Sequence, residues 1–246
     1  MRINYLENGI QKLFENSPRD AYAPADAAFT RRPDELAVLL NRYCDEIELF
    51  NPAYGLISVK DRQELIIKHI LDSLAPINII KRLITGNFPL NPRIADIGSG
   101  AGLPGIPLAL ALPNVFFSLL ERMGRRTGFL RNTAAILALS NVEILETEME
   151  KAPPAIADII CFRAFHPLNL KILKKLFRLS SPGARIAAYK GRRETINAEM
   201  SPLLPVLEQQ NAKWSVIPCP VPFLDDERNL VLIQSPPYTV NAGGLE

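Results

Sequence analysis

The stretch from Arg93 to Gly105, RIADIGSGAGLPG, constrains this chain more than any other. A short apolar run, Ile94 to Ile97, carries one acid, Asp96, stops at Gly98 and reads as a buried strand. Gly98, Gly100 and Gly102 follow at alternate positions, and Leu103-Pro104 then opens an apolar helix through Leu112. Pro104 suits a first helical turn, where the N–H it lacks has no helical partner to lose. Glycines let the backbone turn with positive φ and let a ligand approach the main chain. Strand, glycine loop and helix in that order form a nucleotide-binding turn.

Two glycine registers compete. Gly100, Gly102 and Gly105 fit the dinucleotide fingerprint, but that register leaves Gly98 and Ser99 at the strand end without a role. Asp96-x-Gly98-x-Gly100-x-Gly102 starts where the strand stops, and it resembles the first motif of class I S-adenosylmethionine-dependent methyltransferases. Glu121 closes the next apolar run, VFFSLLE, 23 residues after Gly98, where a carboxylate can accept both hydroxyls of a ribose. A glycine turn that merely packs a helix on a strand would use the same residues. The glycines alone leave these readings open.

Charge distribution narrows the substrate class. The net charge of +2 hides an uneven chain. Residues 1–90 hold 11 Lys/Arg against 12 Asp/Glu, whereas residues 122–193 hold 14 against 5, a balance of +9. A basic region beside a cofactor loop suggests a polyanionic substrate. Solvated helix surface is the plainer alternative. With 246 residues, 48% hydrophobic and 22% charged, the chain can bury a large core. No apolar run approaches the ~20 residues of a membrane span, and MRINYLENGIQKLFENSPRD has no signal-like apolar core. Cys44, Cys161 and Cys219 are scattered and odd in number, which suggests neither a disulfide framework nor a zinc site and fits a reducing cytoplasm.

Residues 1–33 read as an irregular arm, although Leu6, Ile10 and Leu13 have helical spacing. From Pro33 to Phe50, Leu36, Leu39, Leu40, Tyr43, Ile47 and Phe50 line one helical face, and NPAYGLIS breaks that helix. A further helix is expected from Asp61 to Leu74, with Asp61 as N-cap and Glu64 at the capping-box position. Gly86 to Pro92 is the expected boundary, giving an N-terminal arm and helical cap over 1–90, a catalytic domain over 91–236 and a tail over 237–246. Beyond it, strands at 93–97, 115–120, 142–145, 157–162 and 184–189 alternate with helices near 104–112, 124–139, 168–179 and 192–210. That alternation argues a doubly wound α/β sheet. Trp214 to Ile217 and Asn229 to Ile233, either side of a DDER turn, form a terminal hairpin. By analogy of fold, such a hairpin is typical of class I methyltransferases rather than of dinucleotide folds.

The motifs AYGLISVKDRQELIIKHILDSL, DIGSGAGLPGIPLAL, FRAF and Lys190-Gly191, kept in this order from about Asn51 to Ile233, resemble the bacterial 16S rRNA guanine-N7 methyltransferases, the glucose-inhibited division protein B family. The resemblance implies a Rossmann-like, seven-stranded, mostly parallel sheet with a terminal antiparallel hairpin and an N-terminal helical segment. It implies S-adenosylmethionine as cofactor and 16S rRNA, or a small-subunit precursor, as partner. The expected protein is a cytoplasmic monomer without membrane contact. Asp96, Gly98, Ser99, Gly100, Gly102 and Leu103 are then expected at the cofactor, with Glu121 on the ribose and Met149 and Glu150 bordering the adenine. Arg163 is expected at the pocket mouth, towards the cofactor carboxylate, the RNA or a substrate oxygen. A strand-end ion pair is its plainer role. Lys190, Arg192 and Arg193 follow the fifth strand at the carboxyl edge, where ligands bind in such sheets, and are expected to meet RNA.

The chain departs from the family pattern in an arm over 1–33 that is longer than the family's usual N-terminus, and at two motif positions. Glu148 stands where the family usually has an arginine, and Tyr54-Gly55-Leu56-Ile57-Ser58 replaces Tyr-Asn-Leu-Thr-Ser. An anion there should weaken RNA contact more than cofactor binding. Guanine N7 carries a lone pair at neutral pH, so no general base is required. His69 and His166 are accordingly read as structural, one in a packed helix and one before Pro167, although histidine is the commonest base where one is needed. Lys171, Lys174, Lys175 and Arg178 share one helical face, read here as solvent-facing, and Arg122, Arg125 and Arg126 start another basic cluster. Two rivals from other classes are a nicotinamide-dependent oxidoreductase using the Gly100 register and a non-catalytic ribosome-assembly factor on the same fold. A small-molecule or protein methyltransferase would share the fold without explaining the +9 balance.

Overall fold

The computed structural model describes residues 4–15, 30–87 and 92–236. Stretch 16–29, residues 88–91 of the expected boundary loop and the tail 237–246 lie outside them. The sheet is assembled from β1 (Arg93–Ile97), β2 (Phe116–Glu121), β3 (Val142–Glu146), β4 (Ala157–Arg163), β5 (Ser180–Lys190), β6 (Trp214–Pro218) and β7 (Asn229–Gln234). Their order is β3-β2-β1-β4-β5-β7-β6. Strands β1 to β5 are parallel, and β7 runs antiparallel between β5 and β6. The expected seven-stranded, mostly parallel sheet with its terminal hairpin is therefore present. β1, β2 and β4 are buried along most of their length on both faces, as strands covered on both sides must be. Strand order reverses between β1 and β4, which is where ligands bind in such sheets.

Helices cover each face. Towards one lie Ile94, Phe117, Leu119, Ile159 and Cys161, packed against α1 (Tyr5–Glu15), α2 (Pro33–Tyr54), α4 (Ile77–Asn87), α5 (Gly105–Ala111) and α6 (Gly124–Ile136). The same cluster takes in α3, which opens at Arg62–Leu65, passes through π-helical Ile66–Leu71 and ends at Asp72–Leu74. The N-terminal helices and one sheet face thus share one core. Towards the other face lie Ala95, Ile97, Ile160, Phe162 and Ile186, with α7 (Leu170–Leu179), α8 (Arg193–Met200) and α9 (Leu204–Gln209). No helix among the described residues is long and apolar enough to cross a membrane. All three cysteines are buried and unpaired. Burial pushes the thiols of Cys44 and Cys219 up to about 12.

Several expectations need correction. The arm contains a real helix, α1, whose Leu6, Ile10 and Leu13 are buried in the shared core. Asn51-Pro52 does not break α2. The helix continues to Tyr54 and ends at Gly55, which turns left-handed (φ 58°) and donates its N–H to Asn51 O. Pro52 removes the N–H that would bond Glu48 O, one turn before the helix ends. On its inner face Ala37 and Cys44 join the core, while Leu39 and Phe50 are only half-buried. Asp61 does cap α3, accepting Glu64 N–H at 2.8 Å, but Glu64 returns its carboxylate to Lys60 N–H rather than to the cap. Pro104 sits one residue before α5, after a cis Leu103–Pro104 bond. The expected helix 192–210 is three pieces, α8, the 3₁₀ turn Ser201–Leu203 and α9, with Pro202 and Pro205 near the starts of the second and third.

The helical cap is tied to the carboxyl edge of the sheet through the HILDS residues of α3. Asp72 accepts Arg163 Nη1 at 2.9 Å from the end of β4 and Arg228 Nε at 3.2 Å from the hairpin. Arg163 also donates to Lys68 O and meets His69 Nδ1 at 2.9 Å, within the π-helical stretch. Tyr189 at the end of β5 donates to Ser73 O. Asp72→Ala should leave two half-buried guanidinium groups without their carboxylate and cost about 3 kcal/mol of stability. Urea denaturation measures this, and a loss under about 1 kcal/mol would show that the bridge is not what holds the cap.

Candidate active site

Gly98 ends β1 with φ 69°, a left-handed conformation that costs glycine little and other residues more. Gly100 and Gly102 are also left-handed, whereas Gly105 has no positive φ and lies in the first turn of α5. Backbone geometry thus selects the register Asp96-x-Gly98-x-Gly100-x-Gly102 over the dinucleotide spacing. The loop is held by its own hydrogen bonds. Gly98 N and Ser99 N both donate to Leu120 O, and Gly102 N and Leu103 N both donate to Ser99 O. Ser99 Oγ returns to Asp96 O.

Side chains from three directions complete this support. Glu121 at the end of β2 accepts Gly100 N–H through Oε2 (3.0 Å) and Met123 N–H through Oε1 (2.9 Å). Asp96 accepts Gly105 N–H through Oδ2 at 3.0 Å, fastening the start of α5 to β1. Tyr43 of α2 donates its hydroxyl to Ala101 O at 2.6 Å. The apolar spacing of α2 marked Tyr43 as core. A buried tyrosine hydroxyl needs a partner, and that requirement is the only sequence signal that could have tied it to the loop.

A cavity of about 420 Å³ opens over the carboxyl ends of β1 and β2, within the range of small-molecule sites. Gly98, Glu121, Met149, Glu150 and Phe165 are on its wall. Of the other expected loop residues, Asp96, Ser99, Gly100, Gly102 and Leu103 do not line it; they shape the loop beneath. A Cβ at Gly98 would lie 2.3 Å from Phe165 Cδ2, so only glycine leaves room for this wall. The cavity fits S-adenosylmethionine: a bare glycine edge, a buried carboxylate for ribose hydroxyls and a methionine-lined side. Glu148 is also at its wall, in an exposed pair with Lys151 at 3.5 Å.

A second cavity, of about 490 Å³, lies beyond Ala164, Phe165 and His166, which border both. Arg163 is on this second wall, its guanidinium turned to Asp72 and the cap, with Nε buried and unpaired. The strand-end ion pair is thus its observed role. Burial, with Arg163 adding to it, lowers His69 to about 4, so this histidine is neutral at pH 7. Lys190 is on the same wall and paired with Glu199 at 2.6 Å. Arg192 and Arg193 are exposed at the start of α8.

The α7 face is not simply solvated. Lys175 pairs with Glu150, and Arg178 donates to Met149 O and to Ala152 O (2.8 Å), which holds the loop after β3 against the cavity. Lys171 is exposed. In the other cluster, Arg122 and Arg125 are exposed, and Arg125 lies over the Tyr54 ring.

The family model for rRNA small subunit methyltransferase G (GidB) matches residues 37–229. Among curated proteins, the chain is 38% identical over 227 residues to ribosomal RNA small subunit methyltransferase G of Treponema denticola, covering 82% of this chain and 88% of the relative. It is 35% identical over 206 residues to the protein of that name from Yersinia pseudotuberculosis, covering 82% and 92%. Among solved structures, a SAM-dependent methyltransferase from Aquifex aeolicus superposes with a TM-score of 0.51 at 20% identity, covering 77% of this chain and 97% of that one. A putative O-methyltransferase from Klebsiella pneumoniae gives 0.52 at 18%, covering 80% and 89%. These two similarities concern the fold.

Asp96 gives the site a pH signature. Its burial raises the carboxyl to about 7, against the Gly105 and Ser99 hydrogen bonds, and Oδ1 is buried without a partner. The folded state therefore holds this proton more tightly than the unfolded chain. The stability conferred by the neutral form is present near pH 4 and is lost as pH rises towards 7. Asp96→Asn keeps an oxygen for Gly105 N–H and cannot ionise. Relative to the parent, its stability should rise by up to a few kcal/mol between pH 4.5 and 7.5. Urea melts across that range measure the difference, and a constant difference would mean that Asp96 is ionised throughout.

Proposed function

The chain belongs to the small-subunit rRNA methyltransferase G family, and on that premise we propose that it transfers a methyl group to N7 of a guanosine in 16S rRNA, in the cytoplasm. The observation that carries this reading is the pair of cavities divided by Ala164–His166, one bounded by the glycine loop and Glu121 and the other open beside it. Such a pair suits a donor and an acceptor meeting across one wall. The antiparallel β7 and the left-handed Gly98 both disfavour the nicotinamide alternative.

Bound S-adenosylmethionine supplies an electrophilic methyl on a sulfonium that leaves as a neutral thioether when guanine N7 takes the methyl and the positive charge. No proton leaves N7, so the chain's task is to bind, orient and exclude water. Orientation of this kind can supply roughly 7–11 kcal/mol of a barrier. Glu121 takes the ribose hydroxyls with lone pairs left over from Gly100 and Met123. Met149 and Glu150 border the adenine, on a loop fixed by Lys175 and Arg178. Gly98 offers main-chain contact. Arg163, held by Asp72, positions the dividing wall rather than touching RNA. Arg192 and Arg193, beside the second cavity, together with Arg122, provide exposed cations for phosphates.

Incubation with S-adenosylmethionine and small ribosomal subunits lacking the modification should yield 7-methylguanosine, detected by mass spectrometry of the digested rRNA. Cofactor binding without any methylated nucleoside, on subunits or free 16S rRNA, would favour the non-catalytic assembly factor. Glu121→Ala should weaken S-adenosylmethionine by about 1–3 kcal/mol in calorimetry, because ribose hydroxyls and two backbone N–H groups lose their acceptor. Glu121→Gln, which keeps one oxygen, should lose less. Unchanged affinity in both would exclude Glu121 as the ribose partner.

A further inference from the structure

Two carboxylates face the second cavity, and only one has an oxygen to spare. Asp72 gives Oδ2 to Arg163 and Oδ1 to Arg228. Glu199 of α8 uses Oε2 alone, accepting Leu168 N–H at 2.8 Å and Lys190 Nζ at 2.6 Å. Its Oε1 accepts no hydrogen bond from the described residues. Lys190 has three N–H donors and spends one on Glu199. The two side chains are 13% and 17% exposed, so this ammonium and carboxylate stand side by side largely out of water.

We propose that Glu199 and Lys190 read the Watson–Crick edge of the acceptor guanine, with Glu199 Oε1 accepting from N1–H and N2–H and Lys190 donating to O6. The proposal rests on the reading of this chain as a guanine-N7 methyltransferase and names the residues that select the base. Guanine carries O6 next to N7 on its ring, with the N1–H and N2–H₂ donors beyond it. A base that presents N7 to the wall shared with the cofactor cavity brings O6 first, then N1 and N2, into the second cavity. An ammonium beside a carboxylate matches that order of acceptor and donors. Adenine in the same pose sets its N6 amine against Lys190 and its N1 lone pair against Glu199, two like-against-like contacts. A site whose polar groups are left unpaired by the wrong ligand discriminates far more strongly than one differing in apolar fit. Pairing is also why Lys190 is poorly placed for a phosphate: its charge is already neutralised at the cavity wall.

Glu199→Gln keeps the side-chain volume and an oxygen for Leu168 N–H, but turns the spare acceptor into a donor. Calorimetry with S-adenosylhomocysteine should give an affinity within twofold of the parent, while kcat/KM for methyl transfer to small subunits should fall 10- to 100-fold. Base preference supplies a readout that a purely structural role would not move. Saturation-transfer NMR on the S-adenosylhomocysteine complex should show guanosine 5′-monophosphate binding at least tenfold more tightly than adenosine 5′-monophosphate in the parent. That preference should be lost in Glu199→Gln. Equal binding of the two nucleotides by the parent, or an unchanged preference and rate in the variant, would overturn the proposal while 7-methylguanosine formation left the methyltransferase reading standing. Formation of another methylated nucleoside, or of none, would overturn both.

Discussion

Asp72 stands at the junction of three parts of the molecule that have no covalent reason to stay together. A carboxylate taken out of water must find counter-charge or hydrogen-bond donors, and Asp72 finds Arg163 at the end of β4 and Arg228 in the terminal hairpin. The helical cap, the switch point of the sheet and the antiparallel edge are thereby fixed to one oxygen pair. The π-helical course of α3 presents Lys68 O and His69 to the same guanidinium, and π-helical turns recur at functional sites in proteins. Arg163 Nε is left buried without a partner, a cost the two terminal nitrogens offset with charge-assisted bonds.

Beside this junction, the glycine loop is satisfied before any ligand arrives. Glu121, Asp96 and Tyr43 reach it from β2, β1 and the cap, and each accepts from or donates to its backbone. A loop so held needs little ordering when a cofactor binds, which is where much binding energy is otherwise spent. The cap therefore does more than cover a sheet face.

Much of this was legible in the residues. Alternation of strand and helix signals placed all seven strands within a residue or two, except β5, which starts at Ser180. The Pro182-Gly183 pair hid that extension behind a bulge, where the β4 register shifts between Ala157 and Ile159. Residues 192–210 read as one helix because the apolar period continues across Pro202 and Pro205, and the spacing of apolar residues does not report a missing N–H. The glycine register and Glu121 followed from local pattern. Asp72, Tyr43 and Glu199 did not, since their partners lie 58 or more residues away for the first two and across a strand–helix turn for the last. The solvent-facing reading of α7 failed for a similar reason. Its helical face says where Lys175 and Arg178 point, and only the fold says that Glu150 and Met149 O are waiting there.

The three cysteines are scattered in the sequence and share one environment in the fold, the buried interior. Cys44 and Cys219, pushed up to about 12 by burial, are thiols at neutral pH, and Cys161 is raised as well. Thiolate is the form that meets oxidants, alkylating agents and metals. These residues behave as small apolar side chains, inert until the fold opens. Their number therefore reports how the core is filled.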